Sequence, residues 1–399
     1  MTNNMNVIKS LLANIRLRIS NLTLFLFRNR DSVKDEIIFY SFPDYADNAL
    51  ALSDFLLTSS MGKNYRIFWI VEDAKSYQYK YAKAGITFLT KKNRLGMIPL
   101  KTIKHHLQAQ FVFATHNFLI PQGQARPEQK YILLWHGCGF KAKTGSHYTQ
   151  FDKALVPGPL FVSSKSKYWN VVPDKLLSEG YPRYDWMLHP SQKANSFFMD
   201  LKKDYDKVIF WLPTVRNSVK DRDYPEGVIS QFPILATTED WQNIDNWLSS
   251  ANMLLMVKLH NSQKKYPIPF ETFANIRVVN NNDFIKAGVN LYELFPFTDA
   301  LITDYSSVSF DYLVVDKPIC YTLDDYKTYE STRGFTFDNP LDFMPGHHVY
   351  TVQELKQYLD DVKNGLDEYK QRRKEVKEIA VTNTDTSYCE QILKALNVI

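Results

Sequence analysis

Short apolar runs recur along the chain and alternate with stretches of helical spacing. In the first half the runs lie at residues 36–42, 65–71, 111–115, 131–135 and 154–156, with a helix near residues 48–57. In the second half they lie at residues 207–212, 253–259, 276–279, 300–303 and 319–321. Parallel strands that are buried on both faces read as continuous apolar runs of this kind. The alternation therefore predicts parallel sheets with crossover helices.

The two sets of runs predict two domains, because 399 residues exceed what one hydrophobic core usually serves. Pro182 and Pro190 punctuate the segment between the sets, and we expect the boundary there. The expected fold is α/β, with two doubly wound Rossmann-like domains facing each other across a cleft at residues 31–190 and 191–350. Charged C-terminal helices at residues 351–399 should pack back on the body. A dinucleotide-dependent dehydrogenase is disfavoured, since no Gly-x-Gly-x-x-Gly turn follows the first run.

The first 30 residues carry basic side chains and no acidic one, which accounts for the whole net charge of +5. Apolar positions recur there at helical spacing: Ile8, Leu11, Leu12, Ile15, Ile19, Leu22 and Leu26. An Arg-bearing amphipathic helix suits an anionic membrane surface, whereas the apolar run at residues 24–27 is too short to span a bilayer. We predict that residues 1–30 hold the protein peripherally on the cytoplasmic side of the cell membrane. The alternative is a helix packed on the body.

The charge balance, the number of cysteines and the overall composition restrict the classes of protein to which the chain can belong. Outside residues 1–30 the acidic and basic side chains balance, which argues against nucleic acid as a partner. Cys138, Cys320 and Cys389 are too few for a disulfide framework, as expected of a reducing compartment. Apolar residues make up 45% of the chain and charged residues 23%, the composition of a globular protein.

Chemically capable side chains follow four of the runs at their carboxyl ends. They are His136 after residue 135; Pro213, Thr214 and Arg216 after residue 212; Lys258, Leu259 and His260 at the end of the run 253–259; and Asp304, Ser306 and Ser307 after residue 303. Open α/β sheets bind ligands outside the carboxyl ends of their strands. Imidazole, ammonium, guanidinium and hydroxyl groups gathered there predict a cleft for a polyanion.

The segment at residues 301–312 shows this pattern most fully. An apolar strand runs into Asp304, Ser306 and Ser307, and an amphipathic stretch follows. Backbone N–H groups and hydroxyls at the start of a helix bind anions. Asp311 lies one helical turn beyond Ser307 and should reach the same pocket. The alternative is that Asp304 or Ser306 merely caps an ordinary helix.

The ordered set of segments resembles the CDP-glycerol:poly(glycerophosphate) glycerophosphotransferases of teichoic acid and capsule synthesis. The resemblance covers roughly residues 130–340, most of the catalytic core, and includes Trp-His-Gly at 135–137 and Gly-Tyr-Pro-Arg at 180–183. That family is similar in fold to the GT-B transferases, which agrees with the two facing domains. The chain departs from the family pattern where Cys138, Gly139 and Phe140 replace the usual Thr-Pro-Leu, and where Asn261 replaces the usual Pro. These departures leave the acceptor and the transferred polyol open.

The resemblance implies transfer of glycerol phosphate from CDP-glycerol to a hydroxyl of a lipid-linked saccharide or polyol-phosphate acceptor, with release of CMP. It implies His136 as the general base and His260, beside Lys258, as the second catalytic residue, on the donor pyrophosphate. Histidine is the side chain whose ordinary pKa lets it take a proton at neutral pH. No metal or other cofactor is expected, because Asp324 and Asp325 read as a helix start rather than a metal pair.

The remaining contacts with CDP-glycerol are also implied by the resemblance. They are the backbone of Gly137, Cys138, Gly139 and Phe140 over the donor; Arg183 as a fork for phosphate; Pro213, Thr214 and Leu259 on the nucleotide side; Ser306 and Ser307 on the pyrophosphate; and Asp311 on a ribose or glycerol hydroxyl. Arg216 and Asp304 are second-tier, each a candidate cap or scaffold residue. Cys138 is disfavoured as a nucleophile.

Three other functions stay open at this point. A CDP-ribitol ribitolphosphotransferase would use the same residues on a longer polyol. A GT-B glycosyltransferase would use a nucleotide sugar and place carboxylates where Ser306 and Ser307 stand. A catalytically inactive membrane scaffold is disfavoured by the presence of His136 and His260.

Overall fold

A computed structural model describes residues 19, 22–28, 32–81, 85–142, 150–214, 232–259 and 269–399 of the chain. Most of the predicted N-terminal helix lies outside the described residues, and so do Arg216, His260 and Asn261. Every statement below concerns the described part of the chain.

The first half forms a parallel sheet of seven strands in the order β3-β2-β1-β4-β5-β6-β7. The strands are β1 Lys34–Tyr40, β2 Arg66–Val71, β3 Ile86–Thr90, β4 Ala109–Ala114, β5 Lys130–Leu133, β6 Lys153–Leu155 and β7 Leu176–Leu177. The order reverses between β1 and β4, which are hydrogen-bonded neighbours. The crevice outside the carboxyl ends of these two strands is where a doubly wound sheet binds its ligand.

The second half forms a parallel sheet of six strands in the order β10-β9-β8-β11-β12-β13. The strands are β8 Lys207–Trp211, β9 Met253–Lys258, β10 Ile276–Val279, β11 Ala300–Thr303, β12 Ile319–Thr322 and β13 His347–Val349. Here the order reverses between β8 and β11. All residues of β11 and β12 are buried, as the continuous apolar runs predict.

Helices cover both sheets. Those of the first half and the connection are α1 Asp47–Thr58, α2 Ala74–Lys80, α3 Leu100–Gln108, α4 Leu160–Trp169, α5 Tyr184–Leu188 and α6 Gln192–Leu201. Those of the second half are α7 Thr238–Ser250, α8 Asn281–Ala287, α9 Leu291–Leu294, α10 Val308–Tyr312, α11 Tyr326–Arg333, α12 Val352–Asn364, α13 Lys370–Ala380 and α14 Tyr388–Ala395. The start of α12 carries a capping box between Thr351 and Glu354, which satisfies backbone N–H groups that the helix itself leaves open.

The two halves share a continuous hydrophobic core. The ring of Phe310 on α10 lies 4.8 Å from the ring of Phe140 and 4.9 Å from that of Phe161, both of the first half. Further along, α14 returns to the first half, where the Asp185 carboxylate accepts hydrogen bonds from the backbone N–H groups of Tyr388 at 2.7 Å and Cys389 at 3.0 Å. The halves are therefore joined at the cleft and again by the C-terminal segment.

A short helical segment at residues 22–28 packs on the first half. Leu24 is buried in a small cluster with Ile103, Leu107 and Ile120. By contrast Leu22, Phe25 and Leu26 are 59%, 69% and 53% exposed. In the described residues, no helix combines the length and the apolar character that crossing a bilayer requires.

Candidate functional site

The loop after β5 carries His136 and begins with a left-handed residue. Trp135 has φ +55°, a conformation that bulky residues rarely adopt without outside support. The Asn48 amide on α1 gives that support by donating to the carbonyl oxygens of Leu134 at 3.3 Å and Trp135 at 2.9 Å. The indole Nε1 of Trp135 also donates to the carbonyl of Gly137 at 2.6 Å. This kink turns the chain at the carboxyl edge of the sheet, where the sequence places the candidate base.

The His136 imidazole is held by three neighbours. Its Nδ1 lies 3.3 Å from the carbonyl oxygen of Thr115, and its ring centroid lies 4.0 Å from that of Trp135. The ring of His116 stacks on it at 4.1 Å with 7° between the planes. A carbonyl can only accept a hydrogen bond, so Nδ1 carries the hydrogen and Nε2 keeps its lone pair. His136 is thus built to take a proton at Nε2.

The pKa of His136 is lowered to about 3, with burial as the largest cause and the neighbouring His116 as the next. Desolvation penalises the charged form, and a second imidazole at stacking distance penalises it again. His136 is therefore neutral at neutral pH, which is the state a general base needs before it acts.

His116 is a site residue that the sequence analysis missed. It follows β4 directly after Thr115, and its Nδ1 lies 3.0 Å from the Thr115 hydroxyl. The ring of Phe42, just after β1, packs edge-on with the ring of His116, and their centroids lie 5.7 Å apart. The signal was present, because residues 111–115 form an apolar run that ends in a histidine, like the run that ends at His136.

On the facing side, Asp304 ties two strand ends together. Its carboxylate accepts hydrogen bonds from the backbone N–H of Thr214 at 2.9 and 3.1 Å and from the Thr214 hydroxyl at 3.0 Å. The hydroxyl of Thr303 donates to the carbonyl of Leu212 at 2.9 Å, which adds a second link between the ends of β8 and β11. Asp304 is fully buried, and its hydrogen bonds hold the ends of β8 and β11 together.

The glycine loop of the first half packs directly on the serine turn of the second. A Cβ on Gly137 would lie 2.4 Å from the Ser307 Oγ, and a Cβ on Gly139 would lie 3.0 Å from the Ser307 backbone nitrogen. Gly137 also has φ +145°, which disfavours any side chain there. The structure therefore places Gly137 and Gly139, in the loop that carries His136, against Ser307, and the sequence assigns all four residues to one site.

Arg183 and Asp311 lie in a buried network that corrects their predicted roles. The guanidinium donates to Asp311 at 2.7 Å, to Asp47 at 2.6 Å and to the His136 carbonyl at 3.0 Å. The Asp311 carboxylate also accepts from the hydroxyls of Tyr184 at 2.7 Å and Tyr292 at 3.0 Å. A guanidinium held between two carboxylates is no open fork for phosphate, and a carboxylate filled by protein donors has little room for a ligand hydroxyl. In this structure the pair joins the two halves.

Two side chains of the glycine loop face inward. Cys138 is buried, and its Sγ accepts a hydrogen bond from the Tyr181 hydroxyl at 3.3 Å. Burial raises the pKa of the Cys138 thiol, which leaves it protonated and a poor nucleophile. Phe140 is fully buried and packs on Phe310. Because both side chains are buried, the predicted contact of this loop with the donor would have to come from backbone atoms.

The other predicted residues line the second half. Lys258 ends β9, and burial lowers the pKa of its ammonium group. Leu259 and Thr214 are half-buried beside the strand ends, and Pro213 is buried. Ser306 is half-buried, and its carbonyl accepts from the Ser309 hydroxyl at 3.0 Å. Placement at neighbouring carboxyl ends is what the sequence predicts for this set.

The acidic pair Asp324 and Asp325 has protein partners. Asp325 accepts from the Tyr305 hydroxyl at 2.9 Å, and Asp324 accepts from the backbone N–H of Ile234 at 3.0 Å. Helix α11 begins at the next residue, Tyr326, as the interpretation of this pair as a helix start requires.

The family model described as CDP-Glycerol:Poly(glycerophosphate) glycerophosphotransferase matches residues 22–397. The teichoic acid glycerol-phosphate transferase of Staphylococcus aureus is 26% identical, over 92% of this chain and 93% of that protein. The teichoic acid ribitol-phosphate primase of Bacillus spizizenii is 25% identical, over 69% and 70%. A structure of the wall teichoic acid polymerase TagF superposes with a TM-score of 0.72 at 20% identity, over 100% of this chain and 98% of that one.

At 20% identity, the similarity to the TagF structure is evidence for the fold alone. It confirms the predicted architecture of two parallel-sheet α/β domains of the GT-B kind.

Proposed function

Because the chain belongs to the CDP-Glycerol:Poly(glycerophosphate) glycerophosphotransferase family of transferases, we propose that it transfers glycerol phosphate from CDP-glycerol to a hydroxyl of a membrane-linked acceptor. The product is a phosphodiester in a teichoic acid or capsule polymer, and the leaving group is CMP. The observation that carries this proposal is the contact between the His136–Gly139 loop and Ser307, which unites a neutral base and an anion-binding turn in one cleft.

The first chemical step falls to His136. The acceptor oxygen attacks the β-phosphorus of CDP-glycerol while its proton passes to Nε2 of His136. The bond from the β-phosphorus to the CMP oxygen breaks, and CMP leaves with the electron pair. Transfer of this kind needs positioning and charge neutralisation more than covalent help. His136 supplies the positioned acceptor for the proton, since its Nδ1 is held by the Thr115 carbonyl.

Residues in the second half of the chain neutralise the negative charge of the donor. Ser306 and Ser307 offer hydroxyl and backbone hydrogens to the pyrophosphate, and Lys258 offers positive charge. His260, which follows Lys258 by two positions in the sequence and lies outside the described residues, is the second catalytic residue of the proposal. Groups fixed in advance toward developing negative charge lower the barrier because they need no reorganisation during the reaction.

The low pKa of His136 fits this order of events. Because its pKa is low, the His136 imidazole is a weak base before the donor binds. A nearby anion favours the protonated form of the imidazole. Arrival of the doubly charged pyrophosphate would therefore raise the pKa of His136 toward the working range of a base. The donor itself then activates the residue that deprotonates the acceptor.

We further propose that the reaction needs no divalent metal. The two carboxylates of the Asp324–Asp325 pair are used by Ile234 and Tyr305, and the positive charge for the donor comes from protein side chains. Activity that survives EDTA supports this, whereas activity lost in EDTA and restored by Mg²⁺ contradicts it.

The second candidate donor is CDP-ribitol. The similarity to a ribitol-phosphate primase favours keeping it beside CDP-glycerol. The two donors differ only in the polyol, and they would share the nucleotide and pyrophosphate contacts.

The exposed face of the helical segment at residues 22–28 supports attachment to an anionic membrane surface on the cytoplasmic side. Leu24 anchors the segment, while Leu22, Phe25 and Leu26 present apolar side chains to solvent. Apolar side chains on one face of a surface helix insert into the headgroup region. The lipid-linked acceptor would then reach the cleft from the bilayer.

The test is mass spectrometry of CMP and of the extended acceptor, with CDP-glycerol and CDP-ribitol supplied side by side. We expect CMP and an acceptor heavier by one polyol phosphate with one of the two donors. His136→Ala should lower the rate by about 10²- to 10⁴-fold, and His189→Ala, at an exposed histidine, should leave it unchanged. Failure of both donors to yield CMP overturns the proposal.

A further inference from the structure

The stacked pair of His116 and His136 has a geometry that ordinary packing does not require. Their rings are parallel within 7° at 4.1 Å, and the Nδ1 atoms of both rings contact the same residue, Thr115. The pair lies at the carboxyl ends of β4 and β5, where the first sheet faces the second half of the chain.

Hydrogen bonding gives the two rings different roles. The Thr115 hydroxyl accepts from the backbone N–H of Phe42 at 3.2 Å and can donate its own hydrogen to Nδ1 of His116 at 3.0 Å. In that tautomer, Nε2 of His116 carries the hydrogen of the neutral ring. In His136 the order is reversed, because Nδ1 donates to the Thr115 carbonyl and Nε2 is the acceptor.

We propose that His116 is a positioning residue for His136: the stack fixes the His136 ring so that the acceptor's proton is taken only at Nε2, and it keeps that ring uncharged until the donor binds. This inference rests on the proposed function for its chemistry. Phe42 and Thr115 in turn hold His116, so Thr115 orients both rings at once.

Charge in the neighbourhood agrees with this role. The cationic groups that face His136 are Arg183 and Lys165 of α4, and both disfavour a third positive charge there. Burial lowers the pKa of His116, and Asp47 of α1 opposes this in part by favouring the protonated form. If one ring of the stack is protonated, the other is held neutral.

Two variants of His116 separate stacking from charge. His116→Phe keeps an aromatic ring against His136 and removes the second titratable group. His116→Ala removes both. His189→Phe, at an exposed histidine, is the matched control.

The first readout is the pKa of His136, measured by NMR on the full chain with ¹³C-labelled histidine and assigned by the signal that is lost in His136→Gln. We expect the pKa of His136 to rise in both His116 variants and to stay unchanged in the control. This readout needs no catalysis, so it decides the inference even if wild-type protein releases no CMP, a result that would sink only the proposed function.

The second readout is the pH profile of CMP release. In both variants the acid limb of kcat/KM should move to higher pH. His116→Ala should also lower kcat by about 10-fold or more with KM for the donor unchanged, because an unrestrained ring is misplaced, whereas His116→Phe should keep kcat within about threefold. An unmoved pKa of His136 together with an unmoved acid limb overturns the inference.

Discussion

Arg183 and Asp311 form a buried ion pair, 2.7 Å long, in which each side chain is 2% exposed and the two halves of the chain are joined. Asp47 completes the arrangement from α1, at 2.6 Å. The contact lies directly beneath the cleft, since the same guanidinium also holds the His136 carbonyl. Stability and site geometry therefore depend on the same atoms.

Breaking this pair should destabilise the protein strongly. Asp311→Ala removes the acceptor of Nη2 of Arg183 and of the hydroxyls of Tyr184 and Tyr292. We expect the free energy of unfolding to fall by about 3–5 kcal/mol. The matched control is Asp200→Ala, which breaks an exposed pair with Lys203 of the same length, 2.7 Å. Exposed pairs contribute about 0–1 kcal/mol, so urea unfolding of the two variants should differ clearly. Equal losses would show that the buried pair is no stronger than a surface one.

Closure of the glycine loop should tolerate no side chain. Gly139→Ala places a methyl group 3.0 Å from the backbone nitrogen and Cα of Ser307, and backbone atoms cannot move aside unless the halves separate. We expect a loss of about 1–3 kcal/mol in unfolding free energy, with a fall in CMP release. Gly123→Ala is the control, because nothing lies within 4 Å of its added methyl group. A Gly139→Ala protein as stable and active as the control would mean that the halves do not meet at Ser307.

His106 should make stability depend on pH. It is fully buried, and desolvation lowers its pKa to about 4, below the value of about 6.5 in an unfolded chain. Between these two pKa values, His106 binds a proton in the unfolded state but not in the folded state. The contribution of the neutral buried His106 to the free energy of unfolding is therefore complete above pH 6.5 and is lost as the pH falls toward 4. When the pH is lowered from 7.5 to 5, the free energy of unfolding of His106→Phe should fall by about 2 kcal/mol less than that of wild type. Parallel losses, measured by urea titration at both pH values, would exclude a neutral buried His106.

Membrane attachment should depend on one apolar face. Replacing Leu22, Phe25 and Leu26 with Gln removes the exposed apolar side chains without touching the buried Leu24. We expect this variant to stay in the supernatant when anionic phosphatidylglycerol vesicles are pelleted, whereas wild type pellets with them. Leu95→Gln with Leu100→Gln, at two other exposed leucines, is the control and should pellet like wild type. Pelleting of the triple variant would refute the attachment site.

The sequence was sufficient for the fold and for the main site loops because both depend on local patterns. Continuous apolar runs predict the buried strands, and the residues that follow them mark the carboxyl edge. The strands β3, β7 and β13 escaped prediction because they contain half-buried positions or are only two or three residues long, so they form no continuous run. The short helix α5 was likewise not predicted, because it lies between Pro182 and Pro190 in the segment where the sequence indicates the domain boundary.

The partners of the site residues could not be predicted from local pattern. Arg183 and Asp311 are 128 positions apart, and only the closed arrangement of the two halves shows that they neutralise each other. His116 was overlooked because Asn117 and Phe118 after it continue into no family motif, and a separation of 20 positions from His136 hides their contact. Pairing across a cleft is a tertiary property, and single segments do not encode it visibly.

The hydrogen bonds from Tyr388 and Cys389 to Asp185 have a consequence for biosynthesis. These contacts join positions about two hundred residues apart, and the Tyr65 hydroxyl likewise donates to the carbonyl of Val398. During translation, the first half of the chain emerges from the ribosome long before α14, which packs on α1 and α5. The apolar surface that α14 covers therefore stays exposed until synthesis is complete, and a chaperone that shields it would improve the yield.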